Sequence, residues 1–178
     1  MKEPATLQRP LPFGFYIKLT LLVWLAMIAV DFFLHGGLLA SLYLEPGPFL
    51  LPPEQAFAFI PLGYLSFLLL AILLLWLMTR LGIQGWRNGL IFGLQLGGLI
   101  WGALMLGLLS ISTIPAALAA GWFAGQTIEL GVGGLVAGSG LAQNRLGRLA
   151  LKVIGLIFGA FILTIILQNV GLAPAVVR

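Results

Sequence analysis

The chain contains no cysteine in 178 residues. Disulfides, thiolate nucleophiles, iron–sulfur clusters and cysteine-based zinc sites are therefore excluded. Charge is almost as scarce. Asp, Glu, Lys and Arg make up 8% of the residues, against about a quarter in a soluble domain. There is a single histidine. No polar stretch within these residues is long enough for an extramembrane domain. What fills the chain instead is apolar: 61% hydrophobic residues, with a mean hydropathy of +1.12. This composition excludes a soluble globular domain, a disordered tail and a nucleic-acid module. It points to an all-α, polytopic transmembrane bundle.

A membrane helix takes about 20 apolar residues, so the chain holds at most roughly six spans. Turn signals divide it into five, forming a single transmembrane domain over 1–178. The expected spans are about 15–43, 56–78, 89–109, 115–141 and 149–168. Lys2, Arg9 and the apolar run 19–30 resemble a signal peptide. The hydrophobic pattern continues to Tyr43 without a persuasive cleavage site, so the first span reads as retained. Glu45-Pro46-Gly47-Pro48 breaks the first span, and Pro52-Pro53-Glu54 closes the loop. Pro61 falls in the first turns of the second span, where proline is tolerated. From Asn88 to Asn144 the only charged residue is Glu129. That stretch exceeds one span. It divides at Ser110–Pro115, where Ser112 or Thr113 can cap a helix carrying Pro115 in its first turn.

The five-span division sorts the charges. Lys2, Arg9, Lys18, Arg80, Arg87, Arg145, Arg148 and Lys152 fall on one side, and Arg178 on the other with Glu45 and Glu54. Positive residues mark the cytoplasmic side, giving N-terminus in and C-terminus out. The net charge of +4 thus records orientation and contact with anionic lipid, not nucleic acid. Tyr16, Trp76 and Trp86 near one face, and Tyr43 and Trp122 near the other, suit interfacial aromatic belts.

Glycines recur every four residues: Gly89, Gly93 and Gly97; Gly98 and Gly102; Gly121 and Gly125; Gly134 and Gly138; Gly155 and Gly159. Residues four apart share a helix face, and a glycine face lets two backbones approach closely. The third and fourth spans are expected to pack as a tight central hairpin. The same ladders could also serve an interface between copies.

Three acid or imidazole side chains lie within spans. Asp31 and His35 are one turn apart in the first, and Glu129 is in the fourth. A charge at mid-bilayer costs about 2.5–3.5 kcal/mol on the insertion scale, so such residues face the bundle interior and find partners. Asp31 lies 13 residues beyond Lys18, and Glu129 lies 16 before Arg145. Those separations are roughly 20 and 24 Å of helix rise, which puts both acids at similar depth. Gly121, Gly125 and Gly133 share the face of Glu129, which therefore points into a helix contact. Gln126, one turn away, can bond it, and Gln95 is a further polar candidate.

Three readings of this cluster follow. Asp31, His35 and Glu129 can form a proton or cation site. They can be structural glue, with a protonated acid bonded to His35 or Gln126. Alternatively His35 ligates a tetrapyrrole or another ligand, a haem with two histidine ligands then requiring two copies. No particular metal or cofactor is indicated. No catalytic constellation is legible, and the glycines at 131, 133 and 134 follow no strand, so they are not a nucleotide loop.

The segments Asp31-Phe-Phe-Leu-His35-Gly36, Pro61-Leu-Gly-Tyr64 and Trp122-Phe-Ala-Gly-Gln-Thr-Ile-Glu129 resemble those of small bacterial polytopic membrane proteins. These have about four spans, an Asp-x-x-x-His-Gly near the end of the first and a Trp-Phe…Glu in the last. The resemblance covers roughly residues 25–140, and the fifth span departs from it. It implies that Asp31, His35 and Glu129 act as one unit, and it brings no established activity. Together these features lead to a non-enzymatic protein of the bacterial inner membrane. The expected role is an accessory subunit of a larger membrane complex, or a small self-associating protein. The alternative is a small proton- or cation-binding transporter. Expected partners are the lipid bilayer and other membrane subunits or a second copy.

Overall fold

In a computed structural model the chain is all-α, and residues 12–43, 48–143 and 145–174 are described. Among the described residues five long helices follow one another: α1 (Phe13–Phe33), α2 (Pro53–Arg80), α3 (Trp86–Ile111), α4 (Ala116–Gln143) and α5 (Gly147–Asn169). Four stretches of the described residues are long and apolar enough to cross a membrane: Phe13–Leu38, Gln55–Arg80, Trp86–Ile111 and Gly147–Asn169. Helix α4 is less apolar because glycine, Gln126 and Glu129 replace leucine along it. It is the helix that touches all four others. It buries residues from Leu118 to Leu141, so little of it needs to suit lipid.

The expected first span is not one continuous helix. The α-helix ends at Phe33, a single π turn covers Leu34–Leu38, and a 3₁₀ turn covers Ala40–Tyr43. Leu39 N–H bonds back to the Leu34 carbonyl at 2.7 Å, the wider spacing that defines a π turn. Gly36 and Gly37 within it let α5 come close. A Cβ on Gly37 would lie 3.3 Å from Leu167 Cδ1. The widening frees the Gly36 carbonyl, and Gln168 Nε2 donates to it at 3.2 Å.

Two other boundaries differ from the sequence reading. Helix α2 begins at Pro53, so Pro61 stands inside the helix and not in its first turns. Ser112 closes α3 instead of capping α4. Its hydroxyl donates to the Leu108 carbonyl at 2.7 Å and accepts from Ile114 N–H at 3.3 Å. The charges Lys2, Arg9, Glu45 and Arg178, together with Asn144 and the side chain of Glu54, lie outside what is described.

The α3–α4 pair is the most extensive contact in the molecule, and glycine makes it possible. A Cβ on Gly89 would run into the Gly134 carbonyl, and one on Gly93 into that of Leu130. At Gly97 it would lie 3.0 Å from Thr127 Cα. Gly85, held at φ +88°, donates its N–H to the Gly138 carbonyl at 2.9 Å. The two backbones therefore touch over several turns, as dispersion-driven packing in lipid favours. Gly98, Gly155 and Gly159 have nothing within 4 Å of a Cβ and contribute no such contact. Elsewhere Trp24 Nε1 donates to the Tyr64 carbonyl at 2.7 Å, tying α1 to α2. Phe32 stacks on Phe161 at 4.7 Å, tying α1 to α5.

Candidate functional site

Helix α4 carries two glycine faces. Gly134 and Gly138 meet α3, while Gly121, Gly125 and Gly133 meet the first segment. A Cβ on Gly133 would lie 3.0 Å from Met27 Sδ, and one on Gly125 would lie 2.8 Å from His35 Nε2. Glu129 lies between these two positions and is fully buried. The missing Cβ at Gly125 is the space the imidazole occupies.

The structure brings Asp31, His35 and Glu129 together. Each offers one ligand atom, and the three lie within 4.8 Å of one another. His35 Nε2 is 3.3 Å from Glu129 Oε1. Gln126, also buried, places its amide nitrogen 3.4 Å from the same carboxylate oxygen and 3.5 Å from His35 Nε2. Glu129 Oε2 is buried and has no hydrogen-bond partner among the described residues. Gln95 is exposed on α3 and takes no part.

Tyr43 and Trp122, read from the sequence as interfacial aromatics, also belong to this cluster. The Tyr43 hydroxyl bonds His35 Nδ1 and also accepts from Trp122 Nε1 at 2.6 Å. The chain Trp122, Tyr43, His35, Glu129 is thus continuous. If the Tyr43 O–H donates to Nδ1, Nε2 carries the proton and faces the Glu129 carboxylate. In the other tautomer Nδ1–H donates to the Tyr43 oxygen, and Nε2 is a free acceptor or ligand. Both ring nitrogens have partners, so the imidazole is held in place in either state. The sequence signal for Tyr43 was its position eight residues after His35, but only the π and 3₁₀ turns fold it back onto the ring. The signal for Trp122 was its one-turn spacing from Gln126 on α4.

Chemically, two carboxylates and one imidazole form a mixed oxygen and nitrogen donor set, suited to a borderline divalent cation or to protons. Among the described residues no lysine or arginine pairs with either acid. No protein-family model, curated protein or solved structure matches the chain.

Proposed function

We propose that this chain is a small, non-enzymatic cation-binding membrane protein of the transporter class, seated in a bacterial inner membrane. Its site consists of Asp31, His35 and Glu129, with Gln126 and Tyr43 orienting them. The observation that carries this reading is the Glu129 carboxylate. It is fully buried, and its Oε2 has no partner among the described residues. An uncompensated carboxylate at that depth costs several kcal/mol. A divalent cation would satisfy it and offset both acids at once. The π turn that carries His35 supports the same reading, since such turns cluster at functional sites.

In this proposal all five helices cross the bilayer, with the N-terminus inside and the C-terminus outside. Helix α4, with 28 residues, spans about 42 Å at helical rise, enough to cross inside the shield of the other four. The described basic residues outside α1 group at the α2–α3 and α4–α5 turns, which supports this orientation.

The test is titration of purified protein with Mn²⁺ and Zn²⁺, wild type beside Glu129→Gln and Asp31→Asn. One ion bound per chain, weakened at least tenfold by either variant, supports the reading. Equal binding in Glu129→Gln, or no binding to any of the three, overturns it. Metal flux into liposomes then distinguishes a transporter from a static site.

A second reading has one specific observation behind it. Gly155 and Gly159 form an open small-residue face on α5, of the kind membrane helices use to associate. It favours a self-associating protein or a subunit of a larger complex. Native mass spectrometry from mild detergent tests it: a heavier assembly supports it, and a bare monomer removes it.

A further inference from the structure

Helix α5 leans on α1 and the π turn and barely touches α4. The gap that results is a groove of about 620 Å³ between α4 and α5, with Trp86 of α3 at its mouth. Its two ends differ. Near the α4–α5 turn it is lined by Gln143, Arg148 and Lys152, and deeper in by residues such as Val132 and Leu156. Both cations are exposed. The only acids with described side chains, Asp31 and Glu129, belong to the polar cluster, so neither cation has an acidic partner among the described residues. A third cation, Arg87, does not line the groove but lies against Trp86, its guanidinium 5.7 Å from the ring centroid.

We infer that this groove is a binding site for one anionic phospholipid of the leaflet that faces the α4–α5 turn. The polar end supplies two uncompensated cations for a phosphate headgroup, and the indole of Trp86 lies at the headgroup boundary, where such rings concentrate. The apolar end takes an acyl chain. The dimensions agree. Gln143 to Val132 is about 16 Å of helix rise, close to the roughly 15 Å hydrocarbon depth of one leaflet. A zwitterionic lipid fits the apolar end equally well but carries no net charge to meet Arg148 and Lys152. A water-soluble phosphate fits the cations but leaves the apolar end empty. The occupant that uses both ends is an anionic lipid. The inference does not depend on the cation site or on which leaflet is cytoplasmic.

The experiment uses the full chain in nanodiscs of mixed phosphatidylglycerol and phosphatidylcholine, with retained lipid counted by native mass spectrometry. The expected result is one phosphatidylglycerol held per chain, at least tenfold enriched over phosphatidylcholine. Arg148→Gln/Lys152→Gln should abolish the enrichment. Both side chains are exposed, so the fold should survive, as checked by an unchanged melting temperature in pure phosphatidylcholine. Val132→Trp, which fills the deep end and leaves both cations in place, should reduce retention similarly. Equal retention of the two lipids, or enrichment unaffected by the double variant, overturns the inference. So does full competition by glycerol phosphate, which would show a headgroup site that makes no use of the groove.

Discussion

His35 Nε2, on the unwound end of the first segment, lies 3.3 Å from Glu129 Oε1 in the middle of α4. The contact exists because residue 125 is glycine: a Cβ there would meet the same ring nitrogen at 2.8 Å and Cε1 at 3.1 Å. Packing and chemistry are therefore one feature. The small-residue face that lets α4 approach the first segment also shapes the space for the imidazole.

Gly125→Ala should accordingly displace the His35 ring and weaken cation binding at least tenfold. The added methyl should also destabilise the fold by about 1–3 kcal/mol, the usual range for an overpacked interior. Gly155→Ala, where nothing lies within 4 Å, should leave both binding and stability unchanged. Thermal melting and metal titration of the pair check this. Equal behaviour of the two variants would refute the steric role of Gly125.

Tyr43→Phe should leave His35 Nδ1 and Trp122 Nε1 without their shared partner. The expected cost is about 1–3 kcal/mol of stability, and about 10–100-fold in metal affinity if the hydroxyl orients the ligand. A loss of stability with unchanged affinity would show that the hydroxyl serves packing alone.

Gly134→Ala should break the α3–α4 contact, because its Cβ meets the Gly89 backbone carbonyl, which cannot move aside as a flexible side chain can. Gly98→Ala, which faces open space, is the control. The Gly134 variant is expected to melt well below it, or to fail to accumulate in membranes, as read by fluorescence-detected size-exclusion.

Metal binding should strengthen as pH rises. Bound metal requires ionised carboxylates and a neutral imidazole, so protons compete for all three ligands and affinity falls as pH falls. Titrations between about pH 8 and about pH 5.5 bracket the ordinary imidazole value near 6.5. An affinity independent of pH over that range would show that no ligand of the bound metal takes up a proton there, and would refute the predicted competition.

Reporter fusions test the orientation. A phosphatase or fluorescent reporter inserted at the α2–α3 turn, beside Gly82, should read as cytoplasmic, and one following Pro174 as external. Matching signals at the two positions would exclude the odd number of crossings between them that the five-span arrangement requires.

Much of the fold was legible because lipid imposes a simple rule. Each backbone group must be satisfied within its own helix, so long apolar runs separated by glycine, proline and charge become helices. Where the reading differed, the cause was local. Pro53 begins α2 earlier than the loop chemistry suggested, and Ser112 ends a helix instead of starting one. The candidate triad was legible from the high cost of intramembrane charge, and its common depth from counting rise along two helices.

The sequence by itself determined that this is an all-α chain with several helices long and apolar enough to cross a membrane, that Asp31, His35 and Glu129 are ionisable groups set among apolar residues, and that glycine lines the faces of α3 and α4. Periodicity and hydropathy suffice for those because they are properties of one helix at a time. Only the tertiary structure decided that the first segment unwinds after Phe33, that Tyr43 and Trp122 join His35, that Gln95 does not, and that α4 and α5 part to leave a groove. These depend on the rotation of one helix against another. In lipid that rotation is set by which small residues let backbones meet, a relation between elements far apart in sequence.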